Sequence, residues 1–277
     1  MMNILMATDL SSEAELAQRR ARLLAQFVHG KLHIVHVAED GDVPAPPEPR
    51  HENPPGFSPE CGTVKSIPGD PCAVIPDLAR SADLLVLGEP RRRSAGKLFT
   101  GTTGERIIRR SPVPVLVVRT EAHSHYRRVL LAVDLSPQSI EIMRTSKALG
   151  LAPAGCRVIY AYEAPQVNLM VEASTYSIDK VREHIAHQQR DFDKKLSDQM
   201  RKAGLIGLAD AVPTESSPAS AILAFAQRIQ ADLIVLGSRR RSNLAAFVLG
   251  SVAAQVLSHS TTDVLIVPPV KAGKIER

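Results

Sequence analysis

Laid along itself, the chain repeats. Asn3-Ile-Leu-Met-Ala-Thr-Asp9-Leu-Ser-Ser has its counterpart in Arg128-Val-Leu-Leu-Ala-Val-Asp134-Leu-Ser-Pro, and Ala82-Asp-Leu-Leu-Val-Leu-Gly88 in Ala231-Asp-Leu-Ile-Val-Leu-Gly237. Arg-Arg-Arg-Ser follows each of the latter, at 91–94 and 239–242, and then comes Phe99-Thr-Gly101-Thr102 or Val248-Leu-Gly250-Ser251. Both halves close on an aliphatic run, Val113–Val118 and Asp263–Val267. Five anchors in one order identify a duplication, which restricts the chain to two copies of one fold. At 277 residues, each copy is long enough to bury its own core.

Period and punctuation give the elements of that fold. Strands are expected near 3–8, 32–38, 62–67, 84–88 and 114–119, with helices near 12–29, 72–81 and 101–110. The second half repeats this with strands near 128–133, 156–163, 208–213, 232–237 and 263–268. Its helices are expected near 137–150, 178–203, 218–230 and 246–259. Ser11 or Ser12 with Glu15, and Ser136 before Pro137, are suitable helix starts. Aromatic residues make up only 4% of the chain and there is no Trp, so the cores draw on Leu, Val, Ile and Ala. Short aliphatic strands alternating with helices predict an α/β fold: two tandem doubly wound domains, each with a five-stranded parallel sheet flanked by helices.

The halves differ between their second and third strands. The second carries the long charged helix from Ile178, whereas the first has Gly41–Pro59, with seven prolines that no helix tolerates. Domain one, 1–120, therefore reads as degenerate, one helix being replaced by the Pro-rich loop 41–59. Domain two, 128–270, reads as complete.

In an open α/β sheet, ligands settle beyond the carboxyl ends of the strands. Asp9 and Asp134 end the first strands, where a carboxylate can take a ribose hydroxyl or an adenine amino group, or else cap the next helix. Gly88 and Gly237 end the fourth strands and let backbone approach a phosphate. Gly101-Thr102 and Gly250-Ser251 open the last helices with amide and hydroxyl donors, or are close-packing glycines. With these motifs the chain resembles the universal stress protein family, in its tandem form, over nearly its whole length. Nucleotide-binding members share Gly, two residues, Gly, nine residues, then Gly-Ser/Thr. Here Gly88, Arg91, Gly101-Thr102 and Gly237, Arg240, Gly250-Ser251 keep that spacing, but the middle glycine is Arg in both halves.

The resemblance implies an adenine nucleotide, ATP with Mg, as cofactor. Its expected contacts are Asp134, Tyr162, Gly237, Arg240, Gly250 and Ser251, and in the first half Asp9, Val37, Gly88, Arg91, Gly101 and Thr102. The Arg substitutions leave two alternatives open. A side chain there resists a left-handed backbone and fills space, while a guanidinium can itself hold phosphate.

His33 and His36, on opposite faces of a strand, and His184 and His187 complete no metal set. No G-x-S-x-G or Walker A sequence occurs, so the chain reads as a binding protein rather than an enzyme, with weak ATP hydrolysis or autophosphorylation as the most it would do. A formal charge of +5 without aromatic residues among the Arg runs weighs against nucleic acid. Three scattered cysteines, no span of ~20 apolar residues and no basic leader point to the cytoplasm rather than a membrane.

The final aliphatic strands are expected to meet, Val113–Val118 against Val264–Val267, as an intramolecular pseudo-dimer that can dimerise again. The function expected first is a stress-response binding or signalling protein. The alternatives are an interaction or scaffold protein working through its surfaces and protein partners, and a small-molecule or lipid carrier.

Overall fold

The computed structural model describes residues 1–38, 64–89, 101–164, 178–240 and 247–269. The Pro-rich loop 41–59, Cys61 and Arg91 lie outside these residues. The chain forms two compact units: unit 1 gathers Met1–His125 with Ser238–Leu249 and Thr261–Pro268, and unit 2 gathers Tyr126–Gly237 with Gly250–Ser260.

Unit 1 runs β1 (Asn3–Thr8), α1 (Ser12–Phe27), β2 (Lys31–Ala38), β3 (Val64–Pro68), α2 (Pro71–Leu78), β4 (Leu84–Gly88), α3 (Thr103–Arg110) and β5 (Val115–Val118). Unit 2 runs β6 (Val129–Ala132), α4 (Pro137–Ala148), β7 (Cys156–Glu163), α5 (Ile178–Ala203), β8 (Gly207–Thr214), α6 (Pro218–Arg228) and β9 (Leu233–Gly237). The chain then gives β10 (Arg239–Arg240) and β11 (Phe247–Val248) to unit 1, α7 (Ser251–His259) to unit 2 and β12 (Asp263–Val267) to unit 1.

Strand order in unit 1 is β3-β2-β1-β4-β5-β12, parallel except where β12 runs antiparallel to β5. Unit 2 carries β8-β7-β6-β9, all parallel. In both, the first strand of the half lies between the second and the fourth, the doubly wound arrangement whose order reverses beside that strand. Every residue of Leu84–Leu87 and of Leu233–Leu236 is buried, as strands covered on both faces require. The aliphatic composition supplies this without aromatic bulk.

Helix starts follow their caps. Ser11 accepts the Ala14 N–H at the start of α1, and Asp70 accepts the Cys72 N–H ahead of Pro71 in α2. Ser136 precedes Pro137 as expected, but its hydroxyl makes no cap bond. The helix expected from 246 begins only at Ser251. Phe247 and Val248 instead pair antiparallel with Arg240 and Arg239, so β10 and β11 form a two-stranded hairpin. The two final aliphatic runs pair, Val264 with Val117, Leu265 with Leu116 and Ile266 with Val115. Strand β5 therefore has a neighbour on both sides.

One buried acid fastens this added strand. Asp263 is fully buried and accepts the Arg119 N–H at 2.8 Å, and the Thr120 N–H and hydroxyl at 2.9 Å each. The Arg20 guanidinium, also buried, lies 3.4 Å away, and a second of its nitrogens donates to Ser124 O at 2.8 Å.

Candidate functional site

Parallel pairing puts the predicted strand-end residues side by side in each unit. Thr8 is opposite His36 and Ala7 opposite Leu87, so Asp9, Val37 and Gly88 lie at one end of unit 1's sheet. Ala132 is opposite both Ile159 and Leu236, which brings Asp134, Tyr162 and Gly237 to the corresponding end of unit 2. Gly250 and Ser251 belong to unit 2 as well. Arg240 does not: it sits in β10, within unit 1.

Both first-strand carboxylates are used locally. Asp9 Oδ1 accepts the Ser11 N–H at 3.0 Å and the Ser11 hydroxyl. Asp134 Oδ1 accepts the Ser136 N–H at 3.1 Å and the Ser139 hydroxyl at 3.2 Å. The next residue is strained in both turns, Leu10 at φ 62° and Leu135 at φ 59°, a left-handed backbone that a leucine adopts at a cost of about 1–2 kcal/mol. Non-glycine residues held this way concentrate where a turn is shaped for a ligand.

The last helices start differently. In unit 1, Thr102 Oγ1 accepts the Glu105 N–H at 3.1 Å, and the Glu105 carboxylate reaches back to the Gly101 N–H. Arg109 donates to the same carboxylate at 2.6 and 2.9 Å. The set resembles a capping box with the carboxylate shifted to the N–H of the residue before the cap, and Gly101 enters it at φ 84°, a left-handed backbone that glycine adopts without strain. In unit 2 the equivalent of Glu105 is Ala254, Gly250 is the N-cap, and among the described residues no side chain caps the start of α7. Ser251 is exposed. Gly237 has a packing reason of its own, since a Cβ there would meet Ile142 Cδ1 at 2.4 Å.

Tyr162 is an expected contact, whereas His36 and Tyr160, also beside the carboxylates, carry no sequence motif that marks them as such. His36 Nδ1 lies 2.9 Å from Thr8 O in unit 1. Counting from the paired residues, Tyr160 holds the same place in unit 2. Burial first, and the Asp134 charge second, raise its phenol above the ordinary range. Tyr160 and Tyr162 stack at 5.6 Å, and both meet Phe192 of α5 edge-on. The Tyr162 hydroxyl and Gln199 Oε1 are buried without a partner among the described residues, while Gln199 Nε2 donates to Leu135 O at 2.8 Å. Val37 is a buried core residue. Among the described residues no three His, Cys, Asp or Glu side chains gather as a metal site would require, and no helix is long and apolar enough to cross a membrane.

Known proteins resemble this chain in sequence and in fold. A universal stress protein E homolog of Haemophilus influenzae is 28% identical over 175 residues, 60% of this chain but only 55% of that protein, so the match spans about half of the relative's length. A universal stress protein of Synechocystis is 30% identical over 152 residues, covering 51% of this chain and 97% of its own. The crystal structure of a universal stress protein from Archaeoglobus fulgidus superposes with a TM-score of 0.62, covering 96% of this chain and 98% of its own at 16% identity, a likeness of fold alone. The profile of the universal stress protein family matches residues 1–119 and again 125–268. The chain belongs to the universal stress protein family, in tandem form.

Proposed function

We propose that this stress-response protein is a binding and signalling protein that takes an adenine nucleotide, ATP with Mg, at the strand ends of its second half. The observation that carries the reading is the start of α7. Its N-cap is Gly250, which has no side chain to cap the first N–H groups, none of the described residues caps them instead, and a helix start with open donors attracts a phosphate. In the first half the corresponding Gly101 amide and Thr102 oxygen are already engaged with Glu105. The residues present fit the ligand: Gly250 and Ser251 would hold phosphate, and Asp134 would take a ribose or base group. Bound ATP would supply the state that a partner protein reads. The hairpin that carries Arg240 groups with unit 1, so this arginine enters the reading only through a variant.

Titration calorimetry with Mg·ATP tests the proposal on the wild type, Asp134→Ala and Arg240→Gly. Saturable binding that Asp134→Ala weakens by about tenfold or more, a loss of about 1.4 kcal/mol, is expected. No heat from the wild type overturns it, and binding gained only in Arg240→Gly would assign the arginine to closure of the site.

A second reading, a surface that works through protein partners, is favoured by α5. Residues 179, 180, 182–184, 186 and 187 of this 26-residue helix are all exposed, so its first turns stand clear of the sheet that its later turns cover. Pull-down with a variant carrying charge reversals at Arg182 and Glu183 would separate that role from nucleotide binding. A cytoplasmic location and a homodimer belong to the same proposal.

A further inference from the structure

Among the described residues, strand β8 is the outermost strand of unit 2 and pairs with β7 alone. Its even-numbered neighbourhood faces inward: the Gly155 N–H donates to Ile206 O at 3.1 Å and the Ala164 N–H to Thr214 O at 3.0 Å. Peptide groups alternate along a strand, so Gly207, Ala209, Ala211 and Pro213 turn theirs away from β7. An edge of this kind recruits further strands. This one begins beside two exposed apolar side chains, Ile206 at 76% and Leu208 at 58% exposure, which raise its tendency to associate.

The middle of that edge is nevertheless closed, and by side chains. The Ala211 N–H donates to Asp193 Oδ1 at 2.6 Å, and Gln189 Nε2 donates to Ala211 O at 3.0 Å. Gln189 and Asp193 are four residues apart on α5, hence on one face of the helix. Together they make to Ala211 the two bonds that a neighbouring strand would make. Two residues on, Pro213 has no N–H to offer.

We infer that Gln189 and Asp193 act as a surrogate strand that keeps β8 from pairing with the β8 of a second copy of this chain. A second copy is the occupant excluded because antiparallel pairing of two identical edges about a two-fold axis is self-complementary, the apolar Ile206 and Leu208 included. The bond from Ala211 to the Asp193 carboxylate is charge-assisted, and an incoming strand has to displace it with a neutral carbonyl. This role is independent of nucleotide binding.

Sedimentation velocity over a concentration series tests the inference on the full chain. The Gln189→Ala/Asp193→Ala double variant should associate at least about tenfold more strongly than the wild type, a difference of about 1.4 kcal/mol. Adding Ala211→Pro to it should return the wild-type distribution, because proline removes the N–H that the surrogate covered. Asp193→Asn keeps an oxygen acceptor at that position without the charge and should fall between the wild type and the double variant. Gln189→Ala alone, a change that suits a helix, should shift the distribution in the same direction if the double variant melts too low to measure. A double variant that sediments as wild type, or association that Ala211→Pro leaves unchanged, overturns the inference.

Discussion

Asp83 and Asp232 show how a residue can be legible in the sequence while its purpose is not. Both stand in the repeated Ala-Asp-Leu anchor, and both close on the first strand of their half. Asp83 accepts the Asn3 N–H at 2.7 Å, and Asp232 accepts the Arg127 and Arg128 N–H groups at 2.7 and 3.0 Å. The partners lie 80 and about 104 residues away along the chain, beyond the reach of any local pattern. Replacing Asp232 by Ala should cost about 1–2 kcal/mol of unfolding free energy in urea titration, since two backbone donors lose their acceptor. Leu10 and Leu135 were hidden for a different reason, because leucine is not a residue that announces a left-handed turn. The tyrosines give a prediction with a sign. Burial raises the phenols of both Tyr160 and Tyr162, with Asp134 adding to the first and Asp193 to the second. A raised folded-state value means that the unfolded chain loses its proton first. Stability is therefore whole below about pH 10 and falls as pH rises from there through the folded-state values. Tyr162→Phe should flatten that alkaline decline in thermal melts, and removing an unpartnered hydroxyl should leave stability at neutral pH equal or slightly higher.

At the scale of elements, most of the fold was readable. Strands β4 and β7 and helix α5 have the bounds that period and punctuation give, because a buried aliphatic run and a long charged amphipathic stretch each carry a strong local signal. What failed was the start of the last helix. Phe247 and Val248 read as its first turn, but their backbone is taken by Arg239 and Arg240, a pairing across a loop that no helical period encodes. The candidate site was legible in the same uneven way. Its glycines, carboxylates and hydroxyls stand at strand and helix ends as their spacing implies, whereas the difference between the two helix starts emerged only from Glu105 and its absence at Ala254. On the proposed nucleotide reading, that difference separates stability from binding. Thr102→Ala removes a made cap and should lower stability by about 1 kcal/mol. Ser251→Ala removes none, so its melting temperature should stay within the small range of surface substitutions while nucleotide affinity falls. Parallel thermal melts and calorimetry on the two variants check the contrast.

For the molecule as a whole, the decisive residue is Asp263. Its carboxylate is fully buried and holds the Arg119 and Thr120 amides, with the Arg20 guanidinium alongside. Taking away one partner from such a group leaves the other charge stranded, and Asp263→Ala should cost about 3–5 kcal/mol in chemical denaturation. Arg20→Met together with Asp263→Leu should recover only the share owed to the stranded guanidinium, because the Arg119 and Thr120 donors still lack their acceptor. The strand that Asp263 begins joins β5 across just over half the chain, Val264 meeting Val117. A contact that distant is among the slowest to form, since the ends of a long loop must find each other before any bond rewards the search. During synthesis, at roughly 5–20 residues per second, the first sheet therefore waits several seconds or more with β5 uncovered while the second half is made. The duplication that gives the chain its symmetry thus also sets a timetable, in which a half written first is completed last.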